Sequence, residues 1–340
     1  MWAELNAEQR DAVCHSSGPL LILAGAGSGK TRVIAHRIAH LVGQRGVSPR
    51  HILAITFTKK AAGEMQSRVE SLVGEAVRGM WIGTFHSVCA RILRAHADKI
   101  GYGPGFTIFD ENDQRALMKK VTRELGVSDR EFPPARVLEK IGLLKAEMVD
   151  PGEFQRLAMT HYDKTVLKLY EAYQKGLLSC NAMDFDDLLV NAAGLLAGRD
   201  DVRRRYAERF RHVLIDEYQD TNRAQYRVVA ELCRENRDIC VVGDDDQSIY
   251  GWRGADITNI LEFEKSFPEA RVIRMEENYR SSRLILEAAN SVIRQNKGRK
   301  GKTLRTQNQA GDKIVLLLFS TEDEEAEVVA ERILSERVRN

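Results

Sequence analysis

Few folds accommodate the run between Leu20 and Val42: an apolar segment, Leu20 to Ala24, then Gly25-Ala26-Gly27-Ser28-Gly29-Lys30-Thr31, then an amphipathic stretch to Val42. A strand that ends in small residues and re-emerges as a helix is the context of a phosphate-binding loop. Small residues let backbone N–H groups encircle phosphate oxygens, and the helix start adds its partial positive charge. Ala26, Gly27, Ser28 and Gly29 then form the cradle, with Arg32 just beyond it on the helix. Lys30 reaches the β- and γ-phosphates, and Thr31 offers a hydroxyl to Mg²⁺. One departure stands out: the strict pattern has Gly where this chain has Ala24.

Such a loop needs a second strand that ends in an acid to hold the metal, and Val213-Leu214-Ile215-Asp216-Glu217 supplies one. Asp216 is the expected metal ligand. Glu217, next to it, is placed to orient and deprotonate an attacking water. The competing reading is an acidic helix cap ahead of Thr221 to Leu232.

Apolar β-branched runs alternate with helical patterns through the first hundred residues: Leu20 to Ala24, Ile52 to Phe57 and Met80 to Thr84 are separated by Thr31 to Val42 and Ala61 to Val73. That alternation implies parallel βαβ units. From about Val88 to Met183 helical patterns take over, clearest at Asp110 to Leu125, Ala135 to Glu147 and Asp163 to Leu178. Strand signals resume at Val213 to Ile215, Ile239 to Val242 and Val272 to Met275. The expectation is an α/β fold: a P-loop parallel-sheet domain in two segments, 1–87 and 184–280, interrupted by an all-helical subdomain, 88–183. Residues 281–340 would begin a second α/β unit, with a helix to about Gln295, a strand at Ile314 to Phe319 and a helix from Glu322 to about Ser335.

Composition narrows the class. Hydrophobic residues at 43% and charged residues at 29% exclude a collagen-like or wholly disordered chain. No apolar run approaches the roughly 20 residues of a membrane span. No secretory signal pattern is present, and five cysteines without a CxxC pair disfavour a disulfide framework or zinc cluster, so the chain reads as cytoplasmic. Net charge is only +2, but six bases and no acid lie between Ala288 and Gly311. That strip is either a solvated loop or a phosphate-contacting surface. His36 and His40 have a metal-ligand spacing without a third ligand, and the acid run Asp244 to Asp246 fits a turn after a strand.

Further motifs resemble the UvrD/Rep/PcrA group of superfamily 1 DNA helicases over essentially the whole chain. Leu5-Asn6-Ala7-Glu8-Gln9 is similar to that family's adenine-reading motif, with Gln9 the reader. Ile55-Thr56-Phe57-Thr58-Lys59-Lys60-Ala61-Ala62 resembles its first DNA-contact motif, with Lys59 where the family usually has Asn. Gly83-Thr84-Phe85-His86-Ser87 resembles a second, Asp184-Phe185-Asp186-Asp187-Leu188 the re-entry to the core, and Asp216-Glu217-Tyr218-Gln219-Asp220 the metal and water motif. The most specific match is Val242-Gly243-Asp244-Asp245-Asp246-Gln247-Ser248-Ile249-Tyr250-Gly251-Trp252-Arg253-Gly254-Ala255. There a neutral amide, Gln247, lies just past a strand end where it can bond a γ-phosphate, and Tyr250, Trp252 and Arg253 offer flat faces to unstacked bases. Glu277-Asn278-Tyr279-Arg280-Ser281-Ser282 resembles the junction motif, in which Tyr279 would stack on adenine and Arg280 would reach the γ-phosphate.

The resemblance implies a RecA-like sheet, ATP and Mg²⁺ as cofactors, and an ATP-dependent 3′ to 5′ DNA helicase of repair or replication. It implies contacts to single-stranded DNA and single-strand/duplex junctions through Thr56, Phe57, Thr84, Phe85, His86, Tyr250, Trp252 and Arg253. Repair or replication proteins would be partners, with no membrane, and the chain a monomer. The family pattern continues with two motifs not found here, so slow hydrolysis without unwinding is expected of these 340 residues alone. The other reading is an ATP- and single-strand-binding module that needs a partner to complete its cleft.

Overall fold

The structure, a computed structural model, describes residues 4–339; residues 1–3 and 340 of the sequence-derived domain limits lie outside it. Its strands are β1 (Leu20–Ala24), β2 (Ile52–Thr56), β3 (Trp81–Thr84), β4 (Thr107–Ile108), β5 (Ala182–Met183), β6 (His212–Ile215), β7 (Ile239–Gly243) and β8 (Arg271–Met275). Six of them form one sheet in the order β3-β2-β6-β7-β1-β8. Every neighbouring pair is parallel, with Ile22 of β1 opposite Val242 on one side and Ile273 on the other. All residues of β1, β2 and β7 are buried. Their unbroken apolar sequence is what a strand covered on both faces requires.

The two faces carry separate cores. On one, Val33, Ile34 and Ile38 of helix Lys30–Gly43 and Met65 and Val69 of helix Lys59–Val73 pack against Ile22, Ala54 and Val242. On the other, Ile92 and Leu93 of helix Phe85–His96, Leu189 and Leu196 of helix Phe185–Gly198, and Val228 and Leu232 of helix Arg223–Leu232 pack against Leu23, Ile55 and Val241. Burying each such side chain is worth about 1.5–3 kcal/mol. From β1 the chain steps outward to β2 and β3, returns to lay β6 and β7 between β2 and β1, then crosses to β8 beyond β1. The carboxyl ends of β1, β6 and β7 therefore converge where the direction of strand addition reverses, the usual place for a ligand crevice in such a sheet.

Helices Glu111–Glu124, Pro134–Ala146, Pro151–Leu157 and His161–Ser179 surround a third core of Met118, Val137, Ile141, Phe154, Leu169 and Tyr173. Each start is marked in sequence: Asp110 with Asp113 and Thr160 with Asp163 form reciprocal capping boxes, and Pro134 and Pro151 sit in first turns. The entrance and exit of this bundle are stitched by β4 and β5, which pair Thr107 with Ala182 and Ile108 with Met183. Two residues per strand is too short for a hydrophobic period to register. Beneath the bundle, the Lys145 ammonium lies buried 2.6 Å from Asp184 and 2.8 Å from Asp187.

Beyond β8 the helices Arg283–Ile293 and Glu322–Arg339 form where the pattern places them. The expected strand at Ile314 to Phe319 does not form: these residues have no ladder partner, and Leu316 and Leu318 are 81% and 86% exposed. A strand is stable only beside another, and among the described residues none runs next to this segment. An apolar run reports its preference for burial but not the existence of its neighbour.

Candidate nucleotide cleft and aromatic rim

The phosphate loop joins β1 to the helix that begins at Lys30. Gly27 and Gly29 hold φ of +67° and +88°, the left-handed region that glycine enters without strain. The Ser28 hydroxyl donates to the Gly25 carbonyl at 2.7 Å and closes the turn. From below, the buried Gln9 side chain donates to the Ser28 carbonyl at 2.9 Å, while its Oε1 accepts from the Asn6 backbone N–H at 3.1 Å. Asn6 Nδ2 also donates to the Tyr279 hydroxyl at 2.8 Å, so Asn6, Gln9 and Tyr279 meet at one end of the loop. Arg32, in the first turn of the helix, pairs with Glu4 at 2.6 Å.

At the end of β6, Lys30 Nζ lies 3.2 Å from Glu217 Oε2, and the Thr31 hydroxyl donates to Asp216 Oδ2 at 3.4 Å. Glu217 has φ +51°, a left-handed conformation costing a non-glycine residue about 1–2 kcal/mol. Burial, then the neighbouring Glu217 charge, push the Asp216 carboxyl up to about 6, with Lys30 opposing them. Asp216 and Thr31 are hard oxygen donors, the chemistry Mg²⁺ takes, and a divalent cation would offset the cost of burying that carboxylate.

Two residues that sequence reasoning did not single out tie the cleft together. Gln219 is fully enclosed; its Nε2 donates to Glu217 Oε2 at 2.9 Å and Asp220 Oδ2 at 3.1 Å, and its Oε1 accepts from the Asp244 backbone at 3.0 Å. It sits inside the quoted motif, but strand patterning ends before it and leaves its direction open. The second, Asn278, donates to the Ala26 carbonyl at 2.6 Å, and its Oδ1 accepts from the backbone N–H of Arg280 and Ser281 at 2.9 and 2.8 Å. Tyr279 N–H adds a bond to the Gly27 carbonyl at 3.0 Å. Arg280 is exposed, its Cβ 2.8 Å from where a methyl on Gly27 would project. Gln247, also exposed, donates from its amide to the Asp244 carboxylate.

On the other side of Gln219 lies an aromatic rim. Phe57 and Tyr250 stack with centroids 5.2 Å apart, the Arg253 guanidinium lies 4.5 Å over the Trp252 ring, and Trp252 is 69% exposed. Phe57, His86, Asp220, Tyr250 and Arg253 line a cavity of about 190 Å³. Burial holds the His86 imidazole below its ordinary pKa, and its ring meets Phe185 edge-on. Thr56, Thr84 and Phe85 do not reach this surface: Phe85 packs in the sheet core, Thr56 bonds the Thr58 carbonyl, and Thr84 caps the helix it precedes. Burial, then Glu217, raise the Asp220 carboxyl to about 6, and its Oδ1 has no hydrogen-bond partner.

His36 and His40 bond the Arg32 carbonyl and the Gln44 side chain. Four of the six bases of the strip pair with acids: Arg299, Lys300 and Lys302 bind the acid run Asp244 to Asp246 or Glu264, and Arg305 binds Glu8 and Glu277, while Arg294 and Lys297 are exposed. No helix among the described residues is long and apolar enough to cross a membrane.

A phosphate loop, an acid pair and an amide at three converging strand ends define a P-loop nucleotide-binding core. Residues 5–268 match the family model of the UvrD/REP helicase N-terminal domain, and residues 273–339 that of the UvrD-like helicase C-terminal domain. The chain belongs to the UvrD/REP helicase family. It is 48% identical over 330 residues to the ATP-dependent DNA helicases PcrA of Staphylococcus epidermidis and Staphylococcus aureus, covering 97% of this chain and 45% of each relative. The chain thus spans somewhat under half the length of the curated relatives it matches.

Proposed function

We propose that this chain carries the ATP-hydrolysing unit of an ATP-dependent 3′ to 5′ DNA helicase of repair or replication, acting in the cytoplasm on single-stranded DNA and its junctions with duplex. The observation that carries the reading is the Lys30–Glu217 pair at 3.2 Å, joined through Gln219 to the strand end that leads into the aromatic rim. When ATP enters, loop N–H groups take its phosphate oxygens and Lys30 exchanges Glu217 for the β- and γ-phosphates. Thr31 and Asp216 would hold Mg²⁺, which supplies charge neutralisation on those oxygens. Glu217, released from Lys30, orients a water and accepts its proton, with Gln219 fixing the carboxylate. Gln247 and Arg280 contribute an amide and a guanidinium to the charge that spreads over the transferring phosphoryl group. Gln9, Arg32 and Tyr279 take the base and sugar end. Domains at 1–87 with 184–280, at 88–183 and from 281 onward serve as motor, helical insertion and start of a second motor unit.

Coupling to DNA favours a motor over a passive binder, because the residues from Asp244 to Arg253 run without a break from the γ-phosphate amide to the rim. Calorimetry tests the nucleotide site: Lys30→Ala should abolish most Mg·ATP binding, and equal affinity for both proteins would refute it. ATPase measured with and without single-stranded DNA tests the coupling, with stimulation expected.

A further inference from the structure

We infer that Lys302 is a positioning residue for hydrolysis, holding the carboxylate on which the γ-phosphate amide of Gln247 is aimed; the inference rests on the role proposed above for Gln247. Three consecutive carboxylates, Asp244, Asp245 and Asp246, sit on the turn after β7, and the Lys302 ammonium lies among them. It is 2.7 Å from Asp244 Oδ1 and 2.8 Å from Asp246 Oδ2, in contact with Asp245 as well, and its side chain is only 2% exposed. Arg299 grips Asp246 with two bonds of 2.8 and 2.6 Å, and the Lys300 backbone N–H donates to Asp245 at 2.7 Å.

Asp246 thus keeps Arg299 as a second cation, whereas Asp244 and Asp245 each have Lys302 as their one ion-pair partner within 4 Å, and of these two it is Asp244 that bonds Gln247. Asp244 divides its two oxygens: Oδ1 receives Lys302 and the Asp246 N–H at 3.2 Å, and Oδ2 receives the Gln247 amide. Its backbone N–H bonds Gln219, which bonds Glu217. Lys302 therefore stands one residue from the γ-phosphate reader and two from the base. Without it Asp244, 2% exposed, loses its ion-pair partner, and the buried charge is relieved by protonation, by movement of the carboxylate or by entry of water. Each change weakens or breaks the charge-assisted bond that holds the Gln247 amide.

The segment that carries Lys302 also braces the phosphate loop. Leu304 lies so close to Gly25 that a methyl added there would fall 2.0 Å from its Cδ2, and Arg305 bridges Glu277 beside Asn278. One stretch of chain beyond β8 thus sets both the loop and the amide facing it.

Single-turnover ATP hydrolysis tests the inference, with wild type, Lys302→Met, Lys302→Arg, Gln247→Ala and the Lys302→Met/Gln247→Ala double variant compared alongside Mg·ATP affinity. Lys302→Met should slow turnover by about tenfold or more with affinity nearly unchanged, and Lys302→Arg should recover much of the rate. If Lys302 acts through Gln247, the double variant is no slower than Gln247→Ala alone. A Lys302→Met enzyme at the wild-type rate, or a double variant slower by the product of the two effects, overturns the inference. Should Lys302→Met fail to fold, Asp244→Ala replaces it in the same comparison, since it deletes the acceptor of the Gln247 amide that Lys302 is inferred to hold in place. Glu217→Gln sets the floor: wild type no faster than that variant would remove the hydrolysis reading itself, a result distinct from a Lys302 effect that is merely absent.

Discussion

The Asn278 side chain donates to the backbone carbonyl of Ala26 at 2.6 Å, so the segment after β8 is stapled to the phosphate loop even without nucleotide. Three further bonds, from Tyr279 to Gly27 and from Arg280 and Ser281 to Asn278, fix the two residues proposed to meet adenine and γ-phosphate. Asn278→Ala removes both ends of the staple, three part-buried hydrogen bonds worth about 0.5–1.5 kcal/mol each. Mg·ATP affinity should fall by about tenfold or more by calorimetry. Unchanged affinity would mean that the loop keeps its shape unaided.

Glu217→Gln separates binding from chemistry. The substitution keeps the side chain's shape and leaves Asp216, the proposed metal ligand, untouched, but an amide cannot take a proton from water. Hydrolysis in a single-cycle assay should fall by roughly 10²–10⁴-fold, with nucleotide affinity retained. Loss of the 3.2 Å ion pair frees Lys30 for phosphate, so any change in affinity should be toward tighter binding. Turnover at the wild-type rate would place the base elsewhere.

The parts of this fold that could be read from sequence are those set by adjacent residues. A strand, a small-residue loop and a helix start specify the phosphate cradle locally, and Asp216-Glu217 announces itself by ending an apolar run. What stayed hidden depends on partners far along the chain. Ile314 to Phe319 has strand composition but no neighbour to pair with among the described residues. The acids Asp244 to Asp246 and the bases Arg299 to Lys302 lie more than fifty residues apart, so neither run shows that it neutralises the other. Asn278 and Gln219 were missed for the same reason: an amide's role is fixed by what faces it.

Stability should depend on pH through Asp186, beside the rim cavity. Burial first, then the charges of Asp184 and Asp187, raise its carboxyl from 3.8 to about 7. Because the folded form binds the proton more tightly than the unfolded chain, stability is lost as pH rises between those values and is level above them. Asp186→Asn deletes this dependence. Its Tm should match wild type near pH 4 and exceed it near pH 8, a widening that scanning calorimetry reads directly. A gap independent of pH would show that Asp186 stays solvated.

Trp252 offers the clearest test of the rim, because it is the large aromatic there that stands mostly in solvent, 69% exposed. Its ring is backed by the Arg253 guanidinium at 4.5 Å, which leaves the opposite face open to an unstacked base. Stacking of one base is worth about 1–3 kcal/mol and tolerates any sequence, as a motor that walks along DNA requires. Trp252→Ala should therefore weaken binding of a single-stranded oligonucleotide by roughly 5- to 150-fold, equally for different sequences, while Mg·ATP affinity stays constant. Raising salt should weaken both proteins in parallel, since stacking releases no counterions and the Lys and Arg contacts that do are retained. Fluorescence anisotropy across a salt series separates the two contributions. Equal affinity of Trp252→Ala and wild type at every salt concentration would remove Trp252 from the DNA path and leave the Phe57–Tyr250 stack as the candidate surface.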